Sequence, residues 1–401
     1  MASVSVRPGV CIEGIPFIIQ QVGDISFGTG SKKDMQAVAK VSRKLVVYAM
    51  ALLLCGAAWT SAHAEIAILM EEPYGTFGHM NPTGHAAVYM NHICATGPTE
   101  LRPCKPGEAG VVISRYHRVA GDDWIAIPLI PYLYAVEKPS EIPATATPEL
   151  EVQVRDAYRR AHLRDVAPDG PDGAMPGGDW TQLVGASYDR KIFGLNMRTS
   201  AEQDAAFIAL FNDRSNKGRF NLIYRNCADF SRTVIDIYYP KAVHRNFIGD
   251  AGIMTPKQAA KSIVKYGKKH PEVDVTPFVV PQVPGTIQRS RHIDGVTEAL
   301  VKSKKYIIPL SIIAPEVTGG IAVTYVTKDR FTFPKGAPVL SGAKLVKTET
   351  SGANAKTGPI PAPPPVAPPA AAVVPAGPTM PPSEKTPDAT VPATAPLPQS
   401  N

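Results

Sequence analysis

The sequence predicts an α+β protein, and two contrasts along the chain carry that prediction. Residues 65–134 hold short apolar runs with β-branched members, bounded by Gly, Pro or Asn, whereas residues 147–266 hold helically spaced runs behind Ser, Thr or Asn caps. Beyond Pro271 the text returns to β-branched runs broken by prolines, which predicts a β-rich C-terminal segment over 271–350. From 351 to 401 the chain is Pro/Ala-rich and is expected to be a disordered or polyproline-like tail.

Ahead of the domain stands an export signal. Arg43 and Lys44 precede an apolar run over 45–58, which is short for a membrane span, and Ala62-His63-Ala64 supplies the small-x-small cleavage pattern. The expected mature chain begins at Glu65 and works in the periplasm or outside the cell. Residues 1–34 precede the signal as an extension, with Met35 the expected start and 35–64 the signal peptide. A lipid anchor on Cys55 is disfavoured because Leu54 fills the position where a small residue is needed.

In the strand-rich part, residues 86–90 and 110–114 read as strands. The apolar run at 124–134 contains Pro128 and Pro131, which argue against a central strand. A first helix starts at Pro148 behind Thr147, with Leu150, Val154, Ala157, Tyr158 and Ala161 on its apolar face and a solvated basic face at Arg155, Arg159 and Arg160. Residues 165–179 form a loop rich in Asp, Gly and Pro. A second helix fits Ala201–Asp213, begun either by Ser200 with Gln203 or by Thr199 with Glu202, and buries Phe207, Ile208, Leu210 and Phe211. A third runs from Asn226–Cys227 to the stop at Pro240, and a fourth starts at Pro256 behind Thr255. The stretch 306–326 is apolar enough to raise a membrane question, but Pro309, Pro315, Glu316 and Gly319-Gly320 weaken a membrane helix, and β structure is expected there.

After removal of the leader three cysteines remain. Cys94 and Cys104 lie ten residues apart, flank a turn-rich stretch and form the natural disulfide of an oxidising compartment. Cys227 is then the odd thiol, and such a thiol is buried, paired between molecules or reactive. Its position is favourable for chemistry: Asn226 caps the third helix, Asp229 completes a capping box, and Phe230, Val234, Ile237 and Tyr238 form the buried stripe. A sulfur at that helix N-terminus faces unpaired N–H groups and the helix dipole, which favour a thiolate and can also hold an oxyanion. The partner imidazole is sought on the strand opened by Gly84-His85-Ala86-Ala87-Val88-Tyr89.

The order His85-x-x-Val88-Tyr89 followed by Asn226-Cys227-x-x-Phe230 resembles the circularly permuted papain-like superfamily. That superfamily includes NlpC-type cell-wall peptidases, lecithin:retinol acyltransferase-like proteins and a related bacterial periplasmic domain. The resemblance spans residues 70–240, within an expected domain 65–270, and requires insertions near 95–105 and 120–180. It implies a small antiparallel sheet packed on helices, with Cys227 as nucleophile and His85 as base. It also implies a third polar residue orienting the histidine, for which His117, His92 and Ser114 are candidates, His117 ranked first.

The expected function is an exported cysteine-dependent hydrolase or acyltransferase. Cys227 would attack an amide or ester of peptidoglycan peptides or acyl lipids and pass through an acyl-enzyme. The rival is a non-enzymatic envelope module on the same fold, with a membrane-associated accessory protein held by 306–326 as a further alternative. The formal charge of +7 fits anionic envelope polymers or lipid head groups, and no ordered basic and aromatic array points to nucleic acid. His79, His85, His92 and His117 match no zinc spacing, so neither a metal nor a cofactor is expected.

Overall fold

The computed structural model describes residues 64–340 apart from 76, 77, 79, 80 and 118. The leader with Cys11 and Cys55, His79, and the tail lie outside the described residues. All described residues belong to the first of two units of the chain, residues 1–357.

A six-stranded antiparallel sheet organises the protein. Its strands are β1 (Glu65–Glu71), β2 (His85–Met90), β5 (Val111–Ser114), β6 (Ile125–Pro128), β7 (Ile192–Arg198) and β8 (Thr276–Val280), in the order β6-β5-β2-β1-β7-β8. A separate hairpin of β3 (Ile93–Gly97) and β4 (Glu100–Pro103) carries the Cys94–Cys104 disulfide, with Cα atoms 4.8 Å apart. β6 is an edge strand, which is where a strand ending in Pro128 can sit without losing a ladder bond.

β1 is central. It pairs with β2 and β7 along its whole length, and the Ala64 carbonyl just before it accepts from the Thr199 N–H at 2.7 Å. Both faces of the sheet are buried. Ile66, Ile68, Met70, Val88 and Leu195 meet one group of helices; Ala67, Leu69, Ala87, Tyr89 and Ile192 meet the other. This two-sided burial explains near-continuous apolar strand text where alternation would mark a half-exposed sheet.

On the second face lie α1 (Leu129–Tyr134), α2 (Pro148–His162) and α3 (Ala186–Asp189), with residues 163–184 between α2 and α3. The first face is covered by α4 (Ala201–Asp213), α5 (Cys227–Tyr238) and α6 (Pro256–Lys269). Their side-chain caps are local and unambiguous: Thr147 begins α2, Ser200 with Gln203 begins α4, Asn226 begins α5 and Thr255 begins α6. Ser200, not Thr199, is thus the cap of α4.

Two expectations are corrected. First, the inner face of α2 is only in part the apolar one: Tyr158 is buried and Val154 packs on the core as expected, but Glu151, Arg155 and Arg159 are buried too, while Ala157 and Ala161 are exposed. Segment 163–190 supplies the polar partners that make this affordable. Arg155 reaches Asp189 at 2.6 Å and the Val184 carbonyl at 2.9 Å, and Arg159 reaches the Ala167 carbonyl at 2.8 Å and Asp169 at 2.6 Å. Only Arg160 of the three arginines is exposed.

Second, the C-terminal segment is not β-rich. β8 is the one strand there among the described residues, and it pairs with β7, so the sheet crosses the expected boundary at residue 270. Residues 338–340 bridge to β8 at Val279. The rest is largely helical: α7 (Val296–Lys302), α8 (Lys304–Ile313) and α9 (Pro315–Thr324), followed by a π-turn at Tyr325–Asp329. Pro315 sits in the first turn of α9, where its missing N–H is harmless, so a proline that reads as a breaker acts as a starter. No helix among the described residues is long and apolar enough to cross a membrane.

Candidate functional site

The end of the sheet where β1 finishes and β2 begins gathers the chemistry. Glu71 and His85 are register partners there, Ser114 closes β5 at the same end, and Arg190 stands just before β7. The turn into β2 requires Gly84: its φ is +74°, and a Cβ would lie 2.1 Å from the Glu71 carbonyl oxygen. A side chain at that position would push His85 out of register with Glu71.

His85 is oriented by Ser114, whose Oγ lies 2.9 Å from His85 Nε2 and 2.7 Å from the Ala86 carbonyl. A carbonyl can only accept, so the single Ser114 hydroxyl proton goes to Ala86 and Oγ accepts from His85 Nε2–H. In the neutral ring Nδ1 therefore carries the lone pair. Tyr116 stacks on the ring, with centroids 5.0 Å apart and planes 23° apart. Burial, and secondly the Arg190 guanidinium, hold the His85 pKa well below its ordinary value. The imidazole is neutral at pH 7 and able to take a proton.

Cys227 opens α5, and α5 packs on β2. Three devices fix that helix end. The Asn226 side chain accepts from the Asp229 N–H at 2.9 Å and donates to the carbonyls of Leu222 and Met254. Asp229 pairs with Arg245. Arg115, held by Asp123, donates to the Asn226 carbonyl at 3.4 Å and so ties the end of β5 to the cap. The thiol is half-buried, and desolvation pushes its pKa up to about 11. The N–H groups of Ala86, Cys227 and Ala228 oppose that shift, and the Glu71 charge adds to it. Helix-end stabilisation of a thiolate, expected from the sequence, is present but is outweighed by burial. Among the described residues no direct hydrogen bond joins His85 to Cys227; the Ala86 N–H, next to His85, is the shared neighbour.

Behind the pair lies a buried polar network that the sequence did not disclose. Arg190 Nη1 meets Glu71 at 2.9 Å, Tyr132 donates to the same carboxylate, and Tyr116 shares a hydrogen bond with Tyr132. Arg190 also sits over the Tyr74 ring, 4.4 Å from its centroid. Burial raises the Glu71 pKa, against the pull of Arg190 and Tyr132. The available signal was an acidic pair, Glu71-Glu72, ending an otherwise apolar run; it named no partner.

The other candidates fall elsewhere. His117 is exposed and its Nδ1 lies 3.1 Å from Asp179, while its ring meets the edge of Phe220. His92 lies beyond the far end of β2, beside the disulfide hairpin, and its backbone carbonyl accepts from Cys104. Of the three residues considered for orienting His85, Ser114 is the one in contact with it. The disulfide pair does not adjoin Cys227. No protein-family profile, no curated protein and no solved structure matches the chain.

Proposed function

We propose that this site carries out cysteine-dependent acyl transfer, as a hydrolase or acyltransferase acting on amide or ester bonds of cell-envelope material. The observation that supports it best is the Ser114–His85 arrangement, which leaves Nδ1 as the unprotonated nitrogen of a histidine on β2, the strand that α5 packs against. In the resting state the thiol is protonated and the imidazole neutral. Attack then moves the Cys227 proton to His85 Nδ1 as the carbon–sulfur bond forms, and Ser114 holds the ring as charge develops. The N–H groups at the start of α5 donate to the oxyanion. Collapse breaks the bond to the leaving group, which takes the proton from His85 and departs; water or a second acceptor then attacks the thioester and regenerates the thiol. Peptidoglycan peptides and acyl lipids are the substrate classes, reached by export of the chain.

The test is to incubate the protein with cell-wall fragments and with phospholipid, and to follow products and the intact protein by mass spectrometry. An acyl adduct on Cys227, lost in Cys227→Ala and reduced in His85→Gln, is expected. Full turnover by Cys227→Ala would sink the reading. The raised thiol pKa favours one alternative, a non-enzymatic envelope-binding module in which Cys227 is a packed core residue. That alternative predicts tight binding to the same fragments without turnover.

A further inference from the structure

We propose that α8 and α9 form a hairpin that enters one leaflet of an anionic lipid bilayer. Between Tyr306 and Val326 the only charged residue is Glu316. The two helices pack on one another, yet neither has a buried residue. Ile308, Ile312, Ile313, Val317, Val323 and Val326 are all exposed, Ile313 by 82%. A helix at a water interface carries an opposite polar face, and these two do not. A protein groove covers one stripe of a helix, whereas here exposed apolar side chains run along both helices, with Ser311 and Glu316 the exposed polar side chains between residues 307 and 325, and a surrounding lipid phase satisfies that apolar surface.

Length and charge agree on how it enters. Each helix has ten residues, so the hairpin stands ~15 Å tall, about half of a ~30 Å hydrocarbon core. Both ends of the hairpin return to the body of the protein: α8 follows α7 directly, Tyr325 Oη lies 3.2 Å from Glu298 of α7, and Lys261 of α6 bonds the Lys328 carbonyl. At those ends Lys304, Lys305, Lys328 and Arg330 are exposed, and Asp329 is the one acidic residue among them. This basic collar lies where the head groups of an entered leaflet would be, which selects anionic lipid.

Neighbouring loops extend the same surface toward the candidate site. Asn246 donates to the Lys328 carbonyl at 3.5 Å, and the adjoining Phe247 and Ile248 are exposed by 76% and 65%. Arg245 joins that loop to the carbonyls of Ile223 and Tyr224, both exposed and both just ahead of Cys227. A docked hairpin brings these side chains, and the start of α5, to the lipid surface.

The test is sedimentation of the full chain with vesicles of phosphatidylcholine alone and of equimolar phosphatidylcholine and phosphatidylglycerol. Strong binding to the mixed vesicles, weakened by salt, is expected. Ile312→Asp with Ile313→Asp should lower partition by at least about tenfold, since a charge in the apolar layer is disfavoured there, and circular dichroism should remain unchanged. Lys304→Glu with Lys305→Glu should remove the preference for anionic lipid. Comparing variants of one chain cancels any contribution from the apolar run at 45–58. Undiminished binding by the double aspartate variant overturns the proposal. So does lipid-independent self-association that the same variant abolishes, which would make the hairpin an interface between copies. Cys227→Ala should bind vesicles normally, so the fate of the catalytic reading is read separately.

Discussion

The Cys227 thiol should be a slow nucleophile at neutral pH, and the size of the effect follows from its surroundings. With its pKa pushed up to about 11, against ~8.5 for a free cysteine, the thiolate fraction at pH 7 falls about 300-fold. A more basic thiolate is a better nucleophile: with a Brønsted slope of ~0.45, the 2.5-unit difference returns about 13-fold. The net expectation is alkylation about 20-fold slower than for a free thiol, before any loss from limited access. Access lowers the whole curve without bending it, so the shape is the diagnostic. The assay is iodoacetamide labelling of the folded protein from pH 6 to 10, read by mass at Cys227. The logarithm of the rate should climb with unit slope throughout. Glu71→Gln removes a charge that raises the thiol pKa and should shift the climb to lower pH, provided circular dichroism shows the fold intact. A plateau reached by pH 7 or 8 would mean an already ionised thiol, and the balance of burial over helix-end stabilisation argued above would be wrong.

Other perturbations test the frame around the thiol. Ser114→Ala strips the acceptor from a buried imidazole N–H and should cost about 1–3 kcal/mol in denaturant titrations, together with most of any turnover; an unchanged midpoint would separate Ser114 from His85. His85 is neutral in the fold, so below pH 6.5 the unfolded chain gains a proton that the folded chain does not. Its contribution to stability is therefore complete above 6.5 and declines by up to ~1.4 kcal/mol per pH unit below it. The gap in unfolding free energy between wild type and His85→Gln should change with that slope over pH 5 to 6.5, and a constant gap would refute the assignment. Gly194→Ala places a Cβ 2.0 Å from the Phe278 ring between β7 and β8; a loss of about 1–3 kcal/mol in thermal unfolding is expected from overpacking, and no loss would mean β8 sits differently. Reducing Cys94–Cys104 reopens a loop of ten residues and should cost about 2–3 kcal/mol, measured by denaturation with and without reductant.

Much of this was legible where the information is local. The caps of α2, α4, α5 and α6 each rest on a side chain and an N–H three residues apart; those of α2, α5 and α6 were readable as written, while α4 was narrowed to Ser200 or Thr199. What failed depends on distant partners. Arg155 and Arg159 read as solvated because their carboxylates and carbonyls lie on segment 163–190. Glu71 and Arg190 are 119 positions apart in the sequence, so neither suggests the other. The stretch 304–324 is helical on either side of Ala314 where β structure was expected: Pro315 serves as a first-turn residue of α9, and α8 accommodates Pro309 in its interior, so local propensity was a weak prior. The His85 and Cys227 segments were found as motifs, while the choice among Ser114, His92 and His117 needed the register of β2 against β5, which places Ser114 beside His85.

The central seat of β1 has a consequence for how the chain is made. Ala64 is buried and its carbonyl is held by Thr199, and the next residue already lies between two neighbouring strands. A peptidase needs an extended, reachable backbone on both sides of the bond it cuts. Once β2 and β7 have closed on β1, the Ala64–Glu65 bond offers none. Were a leader to be removed at that bond, the cut would have to come before the sheet assembles, and export would then set the timing of folding. A chain that folded first would hold the Ala64–Glu65 bond intact for the lifetime of the fold.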